Sequence, residues 1–508
     1  MSSALRLRRF RRLGVTALGA RERWSARARW GAALGLFALA FGVRSLHAVD
    51  LAPVMDTAAQ PGMRMTRRYD IHAVEMLQGA GLVFPRDADP ADTGLVSRPP
   101  GYSILLAALY RVAGRGLSLT QLTQNLASSL APALVLLLGA LALSWRVGFV
   151  AGVLVAVAPH FAYYSNLILP DALCVLPVLA GSLFLQRGRR GKRAVAWCAT
   201  AGGVFGLATW LRPNMLVIAP FVGAGLILLA PRRESFAKAV AITLASCAAI
   251  APITLRNYVV YGEFVPVSSN SGIVLWEGIA DAGGERFGAV PTDGEVERQE
   301  ARLYGNPRYK TWWASPDGIR RDRERIRRGL AVIQAHPIWF AGAMLRRAGD
   351  LLDYAASAPP LVGSAGAASP ITETADDAEP ESGTRPLSET WNPPEAVATL
   401  APLLSKEACL ALGRAFGPAR RAARAAQNLL RFTMLPALLV GAVGLGALSP
   451  RRALFLALVP LCFLLFQTAV HLEFRMTLTM HALLSLFMAA GIVLAAAFAA
   501  KGVKAFAV

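Results

Sequence analysis

Charge is scarce in this 508-residue chain, and acid is scarcest: 32 Asp and Glu stand against 53 Lys and Arg, and only 17% of residues are charged. Water-soluble domains carry about 25% charge and 45–50% apolar residues. Here 55% are apolar and the mean hydropathy is +0.43, which excludes a soluble enzyme, a disordered regulator and a fibrous protein. Cysteine is sparse too. Cys174, Cys198, Cys247 and Cys462 lie in apolar runs and Cys409 in a polar stretch, with no CxxC pair, so neither a metal knuckle nor a disulfide framework is implied. The net charge of +21 would suit nucleic acid in a polar chain. In one this apolar it marks basic loops held at the cytoplasmic face of a membrane, and no nucleic-acid partner is expected.

What is abundant is long apolar sequence. A helix needs roughly 20 apolar residues to cross about 30 Å of hydrocarbon. Ten stretches meet or approach this: 30–49, 120–144, 147–166, 169–186, 194–211, 213–230, 236–255, 430–448, 453–470 and 476–499. Residues 1–29 hold nine arginines, too many for a cleavable signal peptide, and no small-residue cleavage site follows. With that arm in the cytoplasm, alternation brings the basic short loops to the same side: Arg146, the run from Arg187 to Arg193, Arg232-Arg233 with Lys238, Arg451-Arg452, and the tail with Lys501 and Lys504. The expected fold is an all-α polytopic membrane protein of about 10 transmembrane helices (range about 10–13), with two large extracytoplasmic loops containing interfacial helices. A rival count of twelve adds spans at 330–344 and 396–414 and moves the acidic stretch Glu373–Glu381 to the cytoplasm.

The expected organisation is a cytoplasmic arm (1–29), a first membrane region (30–256) that includes the outer loop 50–119, a second outer loop (257–429) with a mobile insert at 357–395, and a C-terminal membrane region (430–508). Ser103–Val112, after Pro99-Pro100-Gly101, and Leu330–Met344, bordered by Arg327-Arg328 and Arg346-Arg347, are too short to span and are expected in the lipid interface. Span centres hold almost no ionisable residues, where transporters keep the few they need, and no internal repeat is visible. Polar residues gather at the outer span ends and in the outer loops, so the chemistry is expected there.

The motifs in those places carry a resemblance. After the first span come Asp50 and Asp56, then Tyr69-Asp70-Ile71-His72-Ala73, then Arg98-Pro99-Pro100-Gly101-Tyr102. Downstream stand Pro159, Leu169-Pro170-Asp171, Leu211-Arg212-Pro213, Pro252 with Arg256-Asn257, the stretches from Gly262 to Pro266 and from Ser269 to Gly272, Trp276-Glu277-Gly278, and His471-Leu472-Glu473-Phe474-Arg475. In this order along a ten-span chain they resemble the C-type membrane glycosyltransferases, specifically the bacterial branch related to protein mannosyltransferases and aminoarabinose transferases. The resemblance covers roughly residues 30–350 and 430–500. It departs at one point: the family's acidic residue stands four positions before the tyrosine, and here that position is Met65.

The resemblance implies a glycosyltransferase that takes a sugar from a polyprenyl-phosphate donor, with its tail in the lipid, and passes it with inversion to an extracytoplasmic lipid, glycan or protein acceptor at the bacterial inner membrane. A carboxylate would take the acceptor hydroxyl's proton, and Asp56 and Asp70 are the candidates, with Asp50 third. Arginine forks suit the departing phosphate. The donor-binding candidates are Arg98, Tyr102, Asp171, Arg256, His471, Glu473 and Arg475. No metal ligand set is seen, and no cofactor is expected. Each residue has a structural alternative: Asp171 stabilising a helix start, Arg256 anchoring at the interface, Asp70 pairing with Arg67 or Arg68, and the 471–475 segment forming a salt-bridged turn. Arg420, Arg421 and Arg424 read as a headgroup-facing helix face, and His160 and His481 as histidines satisfied by neighbouring helices. The competing functions are a lipid-linked-sugar transporter or flippase, and a non-catalytic partner in envelope assembly.

Overall fold

The computed structural model describes residues 24–55, 69–70, 72–80, 98–189, 191–230, 232–310, 317–354 and 406–500, with residues 14 and 18. Every regular element among the described residues is a helix. Six are long and apolar enough to cross a membrane: Ala26–Leu51, Leu119–Ala142, Arg233–Tyr261, Gly417–Leu448, Pro450–Gln467 and Phe474–Ala500. They coincide with six of the ten expected stretches. The other four take the form of shorter helices: Trp145–Val157 followed by Pro159–Tyr164, then Asp171–Arg187, Ala194–Thr209, and a 3-10 turn Pro213–Val217 leading into Ile218–Leu229. The chain is a multi-pass, all-α membrane protein. The insert at 357–395 lies outside the described residues.

Prolines set where the chain turns. A proline clashes with a helical conformation of the residue before it, which is pushed towards extended geometry. Ala158 (φ −56°, ψ 133°), Arg212 (φ −142°, ψ 125°) and Ser449 (φ −156°, ψ 76°) all leave the helix directly ahead of Pro159, Pro213 and Pro450. The same device corrects one expectation. The apolar run Leu330–Met344 is not a single helix, because His336 (φ −133°, ψ 55°) breaks it before Pro337 into Gly318–Ala335 and Pro337–Leu351. The second of these exposes Ile338 and Leu345.

The last long helix is the central post. Every residue from Leu478 to Gly491 is buried, which is the pattern of a helix surrounded by others rather than one facing lipid. It packs on Gly417–Leu448, Trp145–Val157, Asp171–Arg187 and Pro450–Gln467. Its contact with Gly417–Leu448 is backbone to backbone: a Cβ on Gly441 would overlap the Phe487 carbonyl, and one on Gly491 the Ala437 carbonyl. Small residues at such crossings let membrane helices gain van der Waals contact that water cannot supply.

Beyond the spans, the second long loop folds around buried charge. Glu300 is fully buried and accepts from Arg321 Nη1 and from Arg325 Nε and Nη2, each at 2.7 Å. Asp322 reaches across to cap the helix Ser271–Ile279, accepting from Gly272 N at 2.9 Å and Ile273 N at 3.3 Å. Burial pushes its carboxyl up to about 6, although Arg325 and the two amides work against this.

Gly441→Val is expected to force the two helices apart. Overpacking costs about 1–3 kcal/mol, and thermal unfolding in detergent should show a fall of several degrees. An unchanged melting temperature would mean that the close crossing carries no stability.

Candidate active site

The turn between Ala194–Thr209 and Ile218–Leu229 is where separate parts of the chain meet. Because Arg212 is extended ahead of Pro213, its side chain can reach the start of Asp171–Arg187, where Nη2 donates to Asp171 Oδ2. Asn214, two residues on, donates at 3.3 Å both to Gln467 Oε1 and to the Met476 carbonyl. Trp210 anchors the turn by donating from Nε1 to the Ala249 carbonyl at 2.8 Å, and its own carbonyl accepts from Gly101 N at 2.9 Å. That last contact explains the glycine in Arg98-Pro99-Pro100-Gly101-Tyr102, since any Cβ at 101 would strike the Trp210 carbonyl.

The first-loop motif closes over this turn. Arg98 lies over the Tyr69 ring at 5.2 Å, a cation–π contact, and Tyr69 meets Tyr102 edge-on at 5.1 Å. Tyr102 is buried and donates to Gln124 Oε1 at 2.8 Å, while Gln124 donates to the carbonyls of Ser165 and Leu167. Asp70 is engaged from two sides: Tyr110 Oη donates to Oδ1 at 3.0 Å, and Arg115 grips both oxygens, Nε to Oδ1 at 3.0 Å and Nη2 to Oδ2 at 2.5 Å. Asp56 and Met65 lie outside the described residues. Asp50 pairs with Arg420. This corrects the reading of that arginine as headgroup-facing, because the helix Gly417–Leu448 begins well ahead of residue 430 and turns Arg420 towards the first span.

The third component is the turn before the last helix. Arg475 donates to Glu473 from Nε at 2.8 Å and from Nη2 at 2.5 Å. Burial works to raise the Glu473 carboxyl, but Arg475, Arg212 and His471 together hold it below the usual carboxylate range. Arg212 in turn is moved by Glu473 as well as by Asp171: burial would lower it, and their charges push it up. Two carboxylate–guanidinium pairs therefore share one electrostatic neighbourhood. His471 Nδ1 pairs with Asp281 Oδ2; burial pulls the imidazole down, and the Asp281 contact outweighs it, so the net direction is up. Below the turn, His481 links Tyr354 Oη at 2.9 Å to Thr477 Oγ1 at 3.1 Å, and Thr477 donates to the Phe474 carbonyl. The expectation for His481 thus holds. His160 differs: both ring nitrogens are buried with no hydrogen-bond partner among the described residues, within 6 Å of Phe161, Tyr354, Phe474 and His481. Arg256 makes local contacts, donating to Asn257 Oδ1 at 2.9 Å and lying over Tyr261.

Residues 97–255 match the family described as dolichyl-phosphate-mannose-protein mannosyltransferase. The likeness to that family is confined to this segment, under half of the chain. It takes in Arg98, Tyr102, Asp171 and Arg212, and ends just short of Arg256. No curated protein matches the chain. Among solved structures, the oligosaccharyltransferase AglB of Archaeoglobus fulgidus in complex with an inhibitory peptide and a dolichol-phosphate is 13% identical, with a TM-score of 0.44 over 93% of this chain and 52% of its own. The same enzyme tethered to an acceptor peptide gives 13% and 0.44, covering 90% and 49%. ArnT of Cupriavidus metallidurans bound to undecaprenyl phosphate is 15% identical, with a TM-score of 0.36 over 89% of this chain and 77% of its own. The chain spans about half the length of the archaeal enzymes.

Sequence reasoning chose Asp171, Glu473 and Arg475, which the fold brings together, and left Arg212 among the scaffold motifs. The signal was available: Arg212 stands between two apolar runs, directly before a proline, at the same end as the others. Arg115, Tyr110 and Asp281 had no such signal, because their roles depend on partners 40 or more residues away.

Asp171→Ala would leave the Arg212 guanidinium buried without its partner, at a cost of roughly 3–5 kcal/mol. Arg212→Lys is expected to retain part of that stability, since it keeps the charge and loses the fork. Thermal unfolding of both variants against the parent checks the order. The His471–Asp281 pair predicts a pH dependence. A histidine whose value is raised on folding contributes stability that is full below its ordinary value near 6.5 and is lost as pH rises through the raised one. Melting temperature should therefore fall across that alkaline flank, and His471→Gln should flatten the slope there.

Proposed function

We propose that the chain transfers a sugar from a polyprenyl-phosphate donor to an extracytoplasmic acceptor, at the outer face of a bacterial inner membrane and with inversion at the anomeric carbon. One observation carries the reading. Asp171 Oδ1 and Arg212 Nε are buried and have no hydrogen-bond partner among the described residues, at the loop end of an apolar bundle and inside the segment that matches the mannosyltransferase family. A buried polar atom left unpaired costs about 1–3 kcal/mol. Such a site fits a polar ligand that supplies both a hydrogen-bond donor and an acceptor, as a sugar phosphate does.

In this reading the donor's isoprenoid tail stays among the helices, and its phosphate lies against Arg212 and Arg475. As the bond from the anomeric carbon to the phosphate oxygen breaks, negative charge grows on that oxygen, and prearranged guanidinium groups favour it. Asp171 and Glu473 hold the two arginines in place. Asp56 takes the acceptor hydroxyl's proton as the new glycosidic bond forms. Asp70 is assigned a structural part, because Arg115 and Tyr110 already occupy its oxygens. Arg98 and Tyr102 close the first loop over the site, and His471 tethers the second loop to it. Two arginines can meet the charge of a leaving monophosphate, so the reaction is expected to need no divalent cation.

The test is transfer of radiolabelled sugar from a polyprenyl-phosphate pool in membranes. Asp56→Asn and Arg212→Ala should each lower the rate by about 10²-fold or more, Asp70→Asn should act mainly through stability, and a chelator should leave the rate unchanged. Full transfer by Asp56→Asn would remove the base assignment. Absence of transfer from every polyprenyl-phosphate sugar offered would overturn the enzyme reading itself.

A further inference from the structure

Next to the Asp281–His471 pair, the second loop contains a cavity of about 290 Å³, lined by Asp281, Ala282, Ala343, Arg346, Arg347 and Asp350. Residues 343, 346, 347 and 350 share one face of the helix Pro337–Leu351, following the three- and four-residue spacing that brings side chains into register. Asp281 and Ala282 come from the turn that follows Ser271–Ile279. Arg347 is buried, and its fork is spent on backbone, donating to the carbonyls of Thr468 and Gly278. It fixes the cavity's rear wall to the segment that leads into His471. The reachable polar groups are then Arg346, Asp350 and Asp281, over a floor of two alanines. Through the Asp281–His471 pair this wall is continuous with the charged turn.

The lining decides the ligand class. Two carboxylates set against two guanidinium groups leave the lining with no net charge, and Arg347 is already spent on backbone carbonyls. They do offer hydrogen-bond donors and acceptors side by side, which suits an uncharged ligand that itself both donates and accepts at several points. The volume is slightly below the ~300 Å³ at which pockets for drug-sized ligands begin, enough for one small ring and not for a chain. We propose that this cavity binds a single sugar ring, the terminal residue of the acceptor. This rests on the transfer reaction proposed above, and adds to it that the acceptor is itself a glycan or glycolipid. Asp281 is the shared wall: it faces the acceptor ring and positions His471 beside the donor's side of the site.

Binding without any donor tests this separately from catalysis. The full-length protein in nanodiscs would be titrated with methyl mannoside, methyl glucoside, methyl galactoside and methyl arabinofuranoside, read by saturation-transfer NMR, with inorganic phosphate as competitor. At least one glycoside is expected to bind, phosphate is expected not to displace it, and the exposed double substitution Arg346→Gln with Asp350→Asn should weaken binding by about tenfold, equivalent to ~1.4 kcal/mol. The variant's melting temperature and its binding of polyprenyl phosphate should match the parent's. No glycoside binding, equal binding by the variant, or displacement by phosphate would each overturn the proposal. If glycosides bind as expected while the parent transfers no sugar, the cavity's ligand class stands and the transfer reading falls.

Discussion

Paired charge buried at the end of an apolar bundle is the constraint on which the rest of the structure depends. Asp171–Arg212 and Glu473–Arg475 lie where hydrocarbon-facing helices end, and there an ion without its partner costs several kcal/mol. The pairs therefore persist only if four backbone positions, from three distant parts of the chain, are held to within hydrogen-bond tolerance. The turn at residues 210–214 does this holding. Its backbone receives Gly101, its arginine takes Asp171, and its asparagine takes Gln467 and Met476. Stability and site geometry are thus specified by the same contacts.

Prolines make that turn possible, and they do so twice over. Pro213 pushes Arg212 out of the helix and removes an amide that a helix start cannot satisfy anyway. Pro159 likewise stops Trp145–Val157 and lets the segment 159–167 fold back, where Asn166 ties to Asn125, Ala162 and Arg44. These short breaks inside otherwise apolar stretches shorten two of the ten expected spans, which become Trp145–Val157 and Ile218–Leu229, while the order of the helices is kept.

Legibility in the sequence followed the range of the determining interaction. Apolar length, basic loop ends and X–Pro steps are local, and from them the order of the helices could be read. Asp171, Glu473 and Arg475 could be chosen because charge beside an apolar run is rare enough to stand out. Arg212 carried the same mark and was read as scaffold, since its neighbours Leu211 and Pro213 already accounted for the motif. The engagement of Asp70 was not legible. Its neighbours Arg67 and Arg68 offered a plausible local pairing, whereas the actual partners, Arg115 and Tyr110, lie across a helix whose docking depends on Gly101 meeting Trp210. The break at His336–Pro337 was legible and was outweighed by the apolar run around it.

The engagement of Asp70 also bears on which carboxylate the proposed transfer would use. A general base needs a lone pair directed at the substrate's proton, and Arg115 occupies both Asp70 oxygens in the bidentate geometry that most strongly fixes a carboxylate. Freeing Asp70 would mean breaking that pair and the Tyr110 hydrogen bond in every turnover. Asp171 has an open oxygen, but it anchors Arg212 through the other, and moving it would release the guanidinium to which the proposed transfer assigns the leaving phosphate. Asp50 is committed to Arg420. Asp56 comes directly after the helix that ends at Met55 in the sequence and lies outside the described residues. In the proposed transfer, the commitments of the other three carboxylates, rather than proximity to a motif tyrosine, are the ground for assigning the acceptor's proton to Asp56.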